Sequence, residues 1–290
     1  MQNFGVIFVA YNPEINTFNS KLRVVSELSS NVVVVNNGNA IPVIKNIKII
    51  NLSENKGIAY AQNVGVEFLK RKGIEFVFFF DQDSDFDSDY FSKMLFEWHR
   101  VISAGVNIGI LSPNLFDRNR HQLIPINQLN NGDIDRRVLS NSKNELLQNT
   151  LPISSGILTT VTIFNTVGGN NADLFIDWVD LDFDLKILNA GYITCTTSTV
   201  CLRHAIGKNE QHKFFGKRIS PSNHIPFREF YYFRNGIFLC KQDKNTFPEV
   251  KKMIKKSLMV RILYCFYEKN KIQRIINISR GIADGLMNRM

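Results

Sequence analysis

The sequence predicts an α/β fold: a mostly parallel sheet flanked by helices, with a basic helical appendage at the C-terminal end. Three observations carry this. Short apolar runs recur from the first residues onward, VIFV at 6–9, VVVV at 32–35 and FVFFF at 76–80. Runs of roughly four to eight such residues read as strands buried on both faces, which belong to parallel sheets covered by helices. Amphipathic segments alternate with these runs, as in βαβ units. Finally, the charge is uneven. The 290 residues carry a net +9, yet residues 1–207 hold 17 Lys+Arg against 20 Asp+Glu, whereas residues 208–290 hold 18 against 6. All the excess positive charge lies in the last part of the chain, which points to an anionic partner there, nucleic acid or a membrane surface.

Taken in order, the first strand ends in Ala10-Tyr11-Asn12-Pro13. A helix follows with Phe18, Leu22, Val25 and Leu28 on one face. The second strand ends in Asn36-Asn37-Gly38-Asn39, which is turn chemistry. Ile47–Leu52 is a third strand. The next helix places Ile58, Ala61, Gly65 and Phe68 on one face and stops at Gly73. The strand EFVFFF then breaks into Asp81-Gln82-Asp83-Ser84. Ligands of such sheets sit at the carboxyl ends of the strands. Two carboxylates one residue apart there suit a hard divalent cation, Mg2+ or Mn2+. A strand end followed by a helix cap accounts for the same tetrapeptide.

A helix is expected over Tyr90–Ala104 and a strand over Ile108–Leu111. Residues 117–149 are polar and weakly patterned, a long excursion that reads equally as a lid or as disorder. Arg136 and Arg137 in it read as solvated. ILTTVTIF, 157–164, alternates like a strand. Leu174–Gly191 runs into a helix closed by Gly191. Asp177, Asp180 and Asp184 share one face of that helix if it starts early enough, and their mutual repulsion would raise at least one pKa. A solvated acidic face is the other reading of this spacing. Tyr192–Leu202 is a further strand, followed by His204; a lone His after a strand is more often structural than a ligand.

In the basic tail, one helix places Val250, Met253, Ile254, Leu258, Ile262 and Cys265 on one side and Lys251, Lys252, Lys255 and Lys256 on the other. A second helix has Ile272, Ile275, Ile276, Ile282 and Leu286 on its apolar side. No aromatic interleaving or nucleic-acid motif is present, so nucleic acid is not expected. A lysine face opposite an apolar one is typical of helices lying on anionic lipid; helices docked on the core with lysines in water look the same. Four cysteines show neither metal-ligand spacing nor a disulfide framework, so a reducing compartment is expected. The opening MQNFGVIFVAYN has no signal-peptide character, and no apolar run approaches the ~18 residues that span a bilayer. The expected division is 1–220 for the α/β domain and 221–290 for the helical region.

Together, VIFVAYN (6–12), VVVVNNGN (32–39), NKGIAYAQNVG (55–65), FFFDQDS (78–84), ISSGILTT (153–160), LFIDWVDLDFDLKILNAGY (174–192), LRHAIG (202–207), YYFRNGIFL (231–239) and RGIADGL (280–286) resemble family-2 glycosyltransferases of the GT-A fold. The likeness is to the bacterial rhamnosyltransferase-like branch that builds O-antigen and capsule. It implies that Asp81 and Asp83 form the pair that binds Mg2+ or Mn2+ and, through it, the donor diphosphate, with His204 as third ligand. It implies that Ala10, Tyr11, Asn12 and Asn36 line the nucleotide pocket, with Asn55 and Asn63 nearby and the Arg234–Asn235 pair matched. Asp180 takes the general base position. Three positions depart from the branch: Asn36 stands where an Asp is usual, Val179 where an acid often precedes the base, and Lys186 where an Arg follows it.

The implied activity is an inverting, metal-dependent transfer of L-rhamnose from dTDP-L-rhamnose. The implied acceptor is a polyprenyl-diphosphate-linked saccharide at the cytoplasmic face of the plasma membrane, with the enzyme peripheral on that anionic surface. A UDP-hexose or UDP-galactofuranose donor is the alternative. A nucleotidyltransferase would want a Gly-rich, basic first loop, and AYNPEIN has neither feature. An inactive lipid-binding scaffold would lack metal-dependent nucleotide binding.

Overall fold

The computed structural model describes residues 3–140, 144–204, 212–214, 217–219, 221, 223–242 and 247–290. The expected domain boundary at 220 and the Ala205–Gly207 part of the LRHAIG segment lie outside them. The strands are β1 (Phe4–Ala10), β2 (Val32–Asn36), β3 (Ile47–Asn51), β4 (Phe76–Asp81), β5 (Ile108–Asp117), β6 (Gln122–Leu123), β7 (Ile126–Asn130), β8 (Asp133–Arg137), β9 (Leu146–Gln148), β10 (Thr150–Leu151), β11 (Leu158–Thr160), β12 (Ile193–His204), β13 (His212–Phe214) and β14 (Lys217–Ile219). The helices are α1 (Ile15–Leu28), α2 (Gly57–Arg71), α3 (Tyr90–Ser103), α4 (Val161–Thr166), α5 (Val179–Asn189), α6 (Arg228–Lys241), α7 (Pro248–Cys265) and α8 (Lys271–Met287).

The main sheet runs β3-β2-β1-β4-β11-β5-β12-β9, with β6 paired to β5. Pairings β1–β2, β1–β4, β2–β3 and β5–β12 are parallel, while β11 and β9 run against their neighbours. The sheet is therefore mostly parallel, as expected. Its central strands are apolar on both faces because helices cover both. Ile7, Phe8, Val33, Val34, Phe78 and Phe79 are all buried. On α1, Phe18, Leu22 and Val25 meet this core. On α2 the buried residues include Ala61, Gln62, Gly65, Val66 and Leu69, with Ile58 and Phe68 half-buried at the margin.

Two expectations change. The run 157–164 is strand only over β11, and then turns into α4. The Thr160 hydroxyl accepts the Ile163 N–H at 3.1 Å and caps that helix, which outweighs the local alternation. The excursion at 117–149 is built rather than loose over its described residues. β7 and β8 form a hairpin, and β10 joins it in a second, three-stranded sheet.

Helix α7 docks on α5 and α6, and α8 docks on α6. Val250 and Ile254 of α7 pack with Leu181, Leu185 and Leu239. Beneath them lies a buried ion cluster: Glu229 receives Arg261 and Arg274, and both arginines also reach Glu268, all four residues nearly inaccessible. Helix α8 turns most of its apolar side outward. Its buried positions are Arg274, Asn277, Ile278, Gly281 and Gly285, and Ile282 packs beside Ile278 and Phe233, while Ile272, Ile275, Ile276 and Leu286 face outward. The reason is close backbone packing. A Cβ on Gly281 would sit 2.4 Å from the Phe230 carbonyl oxygen, and one on Gly285 would sit 2.8 Å from that of Arg234. Glycines four residues apart thus let α8 lie directly on α6, and Ile272, Ile275 and Ile276 are left outside. Among the described residues no helix is long and apolar enough to cross a membrane.

Gly281→Ala should push α8 off α6 and lower stability by about 1–3 kcal/mol, the usual penalty for overpacking. Chemical denaturation checks this. A variant as stable as the parent would mean that the crossing is looser than described.

Candidate active site

Strands β1, β4, β5 and β12 run the same way, so Ala10, Asp81, Asp117 and His204 end on one edge of the sheet. At that edge the ligand atoms of Asp81, Asp83 and His204 all lie within 4.8 Å of one another. The His204 Nδ1 is 3.5 Å from an Asp83 oxygen. Buried Ser84 and Ser155 bond to each other at 2.5 Å, and the Ser155 hydroxyl accepts the Asp81 N–H at 3.2 Å, which holds the strand end in place. Burial, then the Asp83 and Asp180 carboxylates, push the Asp81 carboxyl up to about 7. Such crowding of acids is what a divalent cation relieves. Two hard oxygen donors and one imidazole suit Mg2+ or Mn2+. Among the described residues a second acidic group, Glu229 with Cys265 and Glu268, also has ligand geometry, but Arg261 and Arg274 already neutralise it.

The first loop is wired to this edge. The Tyr11 N–H donates to Gln82 Oε1 at 2.8 Å, and Lys21 donates to the Gln82 carbonyl at 2.9 Å. Asn12 adopts φ +47°, and its Oδ1 accepts the Asn39 N–H at 2.8 Å. Asn36 is fully buried. Its amide donates to the Asn39 carbonyl and to Asn51 Oδ1, and its Oδ1 accepts the Gly38 N–H. Asn36 thus organises the 36–39 turn beside the first loop. The Asn55 side chain accepts the Gly57 N–H at 3.0 Å at the start of α2. Asn63 is not brought to the carboxylates; both ends of its side chain bond the Asn170 backbone.

The acidic face of three does not form. Helix α5 begins at Val179, because Phe175, Asp177 and Trp178 all have positive φ, near +62°, +63° and +65°. Asp177 therefore leaves the helix axis and pairs with Arg228, whose Nε is 3.1 Å from Oδ2. Asp180 and Asp184 remain one turn apart. Burial raises Asp180, while hydrogen bonds from Ser154 hold it down in part, and Asp177 adds to the rise. Asp184 is pushed well above the usual range by burial and then by Asp180. Asp184 Oδ2 is buried with no hydrogen-bond partner among the described residues.

Arg234 and Asn235 are buried in α6 and hold the loop that precedes α5. The Asn235 amide donates to the carbonyls of Leu174, Ile176 and Asp177 at 2.7, 2.9 and 3.1 Å. Arg234 donates to Asn235 Oδ1 at 2.9 Å and to the Asp173 carbonyl at 2.5 Å, with its guanidinium 4.9 Å above the Tyr231 ring. Arg228 was not singled out from sequence. Nothing local marks it, since it lies 51 positions from Asp177. Ser154 and Ser155 were legible only as part of the Ser-Ser-Gly segment.

Beyond Asp177 and Arg228 opens a cleft of about 710 Å3 between the β7–β8 hairpin and α7, with Arg136, Lys252, Lys256, Tyr232 and Tyr264 on its walls. Exposed Arg136, read as merely solvated, sits at this cleft.

Asn235→Ala should leave three loop carbonyls without their donor. The expected cost is about 1–3 kcal/mol for the orphaned buried groups, together with a loss of activity that outlasts restoration of stability by low temperature. Calorimetric unfolding and steady-state assays measure the two effects. Unchanged unfolding would remove Asn235 from its structural role.

No family model matches the sequence. The chain is 29% identical over 293 residues to the dTDP-rhamnosyl transferase RfbF of Shigella flexneri, across 98% of this chain and 95% of that protein. Among solved structures, GalNAc-T7 with UDP, GalNAc and Mn2+ aligns over 92% of this chain with a TM-score of 0.56 at 14% identity, and the chain spans 57% of that protein. TarS of S. aureus in complex with UDP-GlcNAc aligns over 100% of this chain and 82% of its own, with a TM-score of 0.54 at 15% identity. These two likenesses concern the fold. With the likeness to the rhamnosyl transferase along nearly the full chain, they support a glycosyltransferase of the GT-A fold, similar in sequence to a dTDP-rhamnosyl transferase.

Proposed function

We propose that the enzyme transfers L-rhamnose from dTDP-L-rhamnose, with inversion and with Mg2+ or Mn2+, to a polyprenyl-diphosphate-linked saccharide. The setting is O-antigen or capsule synthesis at the inner face of a bacterial plasma membrane. The observation that carries this reading is the Asp81–Asp83–His204 cluster at the strand ends, with the Asp180 carboxylate close enough to raise Asp81. The name of the S. flexneri relative supports the donor.

In this reading Asp81, Asp83 and His204 hold the ion, whose chemistry when bound is to neutralise charge on the departing diphosphate. The first loop, through Ala10, Tyr11 and Asn12, and the turn built on Asn36 shape the nucleotide side, with Asn55 at the start of α2. Asn63 and Arg234 act from behind, by holding backbone that borders the site. Asp180 accepts the proton of the attacking acceptor hydroxyl. Its raised pKa makes it a better base than an exposed aspartate, and Ser154 orients it. Single displacement with inversion needs this one base and no enzyme nucleophile. Asp177 is tied to Arg228 and so is left out of proton transfer. The cleft between the β7–β8 hairpin and α7 receives the acceptor, where Arg136, Lys252 and Lys256 suit its diphosphate.

A UDP-sugar donor is the second reading, favoured by the UDP and UDP-GlcNAc bound in the two fold neighbours. A panel of nucleotide-sugars with Mn2+, scored by release of nucleoside diphosphate, decides between them. Turnover of dTDP-rhamnose well above any UDP-sugar is expected; the reverse order would shift the assignment to a UDP-sugar.

Asp81→Asn with Asp83→Asn should abolish Mn2+-dependent binding of dTDP in calorimetry. Unchanged affinity in the double variant would sink the metal assignment.

Asp180→Asn should keep the fold and donor binding, and lower transfer by about 10²–10⁴-fold, the usual worth of a positioned base. The base works ionised, so parent activity should fall as pH drops through the raised Asp180 pKa, and the variant should lack that limb. A variant that transfers at the parent rate would move the base elsewhere.

A further inference from the structure

Helix α8 shows its apolar side to solvent. Ile272 is 77% exposed, Ile275 55%, Ile276 53% and Leu286 60%. These positions repeat at three, four and seven residues and their multiples, so they form one stripe along the helix. The side that faces α6 mixes small, polar and apolar residues, Gly281, Gly285, Arg274 and Asn277 with Ile278 and Ile282, which pack against Phe233. The outward face of α7 is graded. Lys252, Lys255 and Lys256 on it give way, at the same helical spacing, to Met259, Ile262 and Phe266, which are 65%, 42% and 62% exposed. Only residues 266–270 separate the apolar end of α7 from the start of the α8 stripe. A run of large exposed apolar side chains along one helix face marks a surface made to be covered.

We infer that this α7–α8 face docks in the plane of an anionic phospholipid bilayer. The isoleucines enter the acyl boundary, and the surrounding cations meet the headgroups. Charge selects this partner. Lys271 and Arg280 flank the stripe, the α7 lysines extend the same basic margin, and residues 208–290 hold 18 Lys+Arg against 6 Asp+Glu. Cations flanking an apolar helical stripe fit anionic lipid. A second copy seated on the same stripe would offer Lys271 and Arg280 a single acid on α8, Asp284. The sequence offers both tail helices for lipid contact, with the α7 lysines as the charged face. The structure puts the apolar contribution on α8, and that part of the attachment resists salt.

Docking supplies the proposed transfer with a membrane-borne acceptor, and to that extent rests on the function proposed above. The test is sedimentation of the full chain with vesicles of phosphatidylethanolamine and phosphatidylglycerol, at low and high salt. Parent protein should bind, and should keep part of its binding at high salt. Ile272→Ser/Ile275→Ser/Ile276→Ser changes only exposed positions, so melting temperature and donor hydrolysis in detergent-free buffer should be unchanged. Its bound fraction should fall by about tenfold, in line with the area dependence of interfacial binding. Equal binding by parent and triple variant overturns the inference. So does a parent dimer that ignores vesicles and becomes monomeric in the triple variant, because a second copy then covers the stripe. If vesicle binding behaves as expected but the parent consumes no nucleotide-sugar, the transfer reading fails and the docking face stands.

Discussion

The geometry of the site depends on the loop from Asp173 to Trp178 being held in a backbone conformation its residues disfavour. Positive φ at Phe175, Asp177 and Trp178 costs roughly 1 kcal/mol or more at each non-glycine position. The loop persists because its surroundings over-determine it. Asn235 spans three of its carbonyls, Arg234 takes a fourth, and the Trp178 indole donates to the Tyr232 carbonyl at 2.8 Å. On the other side, the Ile58 N–H donates to the Phe175 carbonyl at 2.8 Å. Gly57 lies so close to that carbonyl that no Cβ fits between them. One strained loop therefore joins α2, α5 and α6, and fixes where α5 begins. That starting point decides that Asp180 turns inward while Asp177 meets Arg228.

The same dependence ties the C-terminal helices mechanically to the candidate site. Helix α6 carries Asn235 on one face and Glu229 on another. Glu229 is fully buried and is tolerated only because Arg261 of α7 and Arg274 of α8 compensate it. Removing one partner of such a cluster leaves an uncompensated buried charge, which is strongly destabilising. His224 beside them is pushed down to about 4, by burial and then by Arg228 and Arg261, so it stays neutral among the arginines. The helices that look like a basic appendage in composition are thus locked to the loop that positions Asp180.

Much of the site was legible because it lies at strand ends. The apolar run ending in DQDS marks the carboxyl edge of a parallel sheet, whereas His204 entered the candidate ligand set only through the family resemblance, and the pairing of β12 with β5 is what brings it to Asp83. Asn63 was less legible. Its place in a helix one turn from the expected pocket gave no sign that both its polar atoms are taken by the Asn170 backbone. Asp177 was misread because helical spacing presumes helical backbone, and the three positive-φ residues break that presumption. Arg228 was invisible, since only tertiary packing brings it to a residue 51 positions earlier.

The sequence by itself determined the sheet, the order of its early elements and the acidic edge, because each rests on a local pattern: buried strands on contiguous apolar runs, helices on amphipathic spacing, the ligand edge on the residue where an apolar run stops. It also determined that the last two helices are amphipathic. It did not determine which way α8 faces. Hydrophobic periodicity leaves the isoleucine side open to lipid or to the core. The tertiary structure turned Ile272, Ile275 and Ile276 outward and kept Ile278 and Ile282 inside, because Gly281 and Gly285 allow backbone-to-backbone contact with α6, and Arg274 finds buried carboxylates there. Periodicity measures where apolar side chains lie on a helix, whereas orientation is decided by how close the helix can come and whether its polar groups find partners.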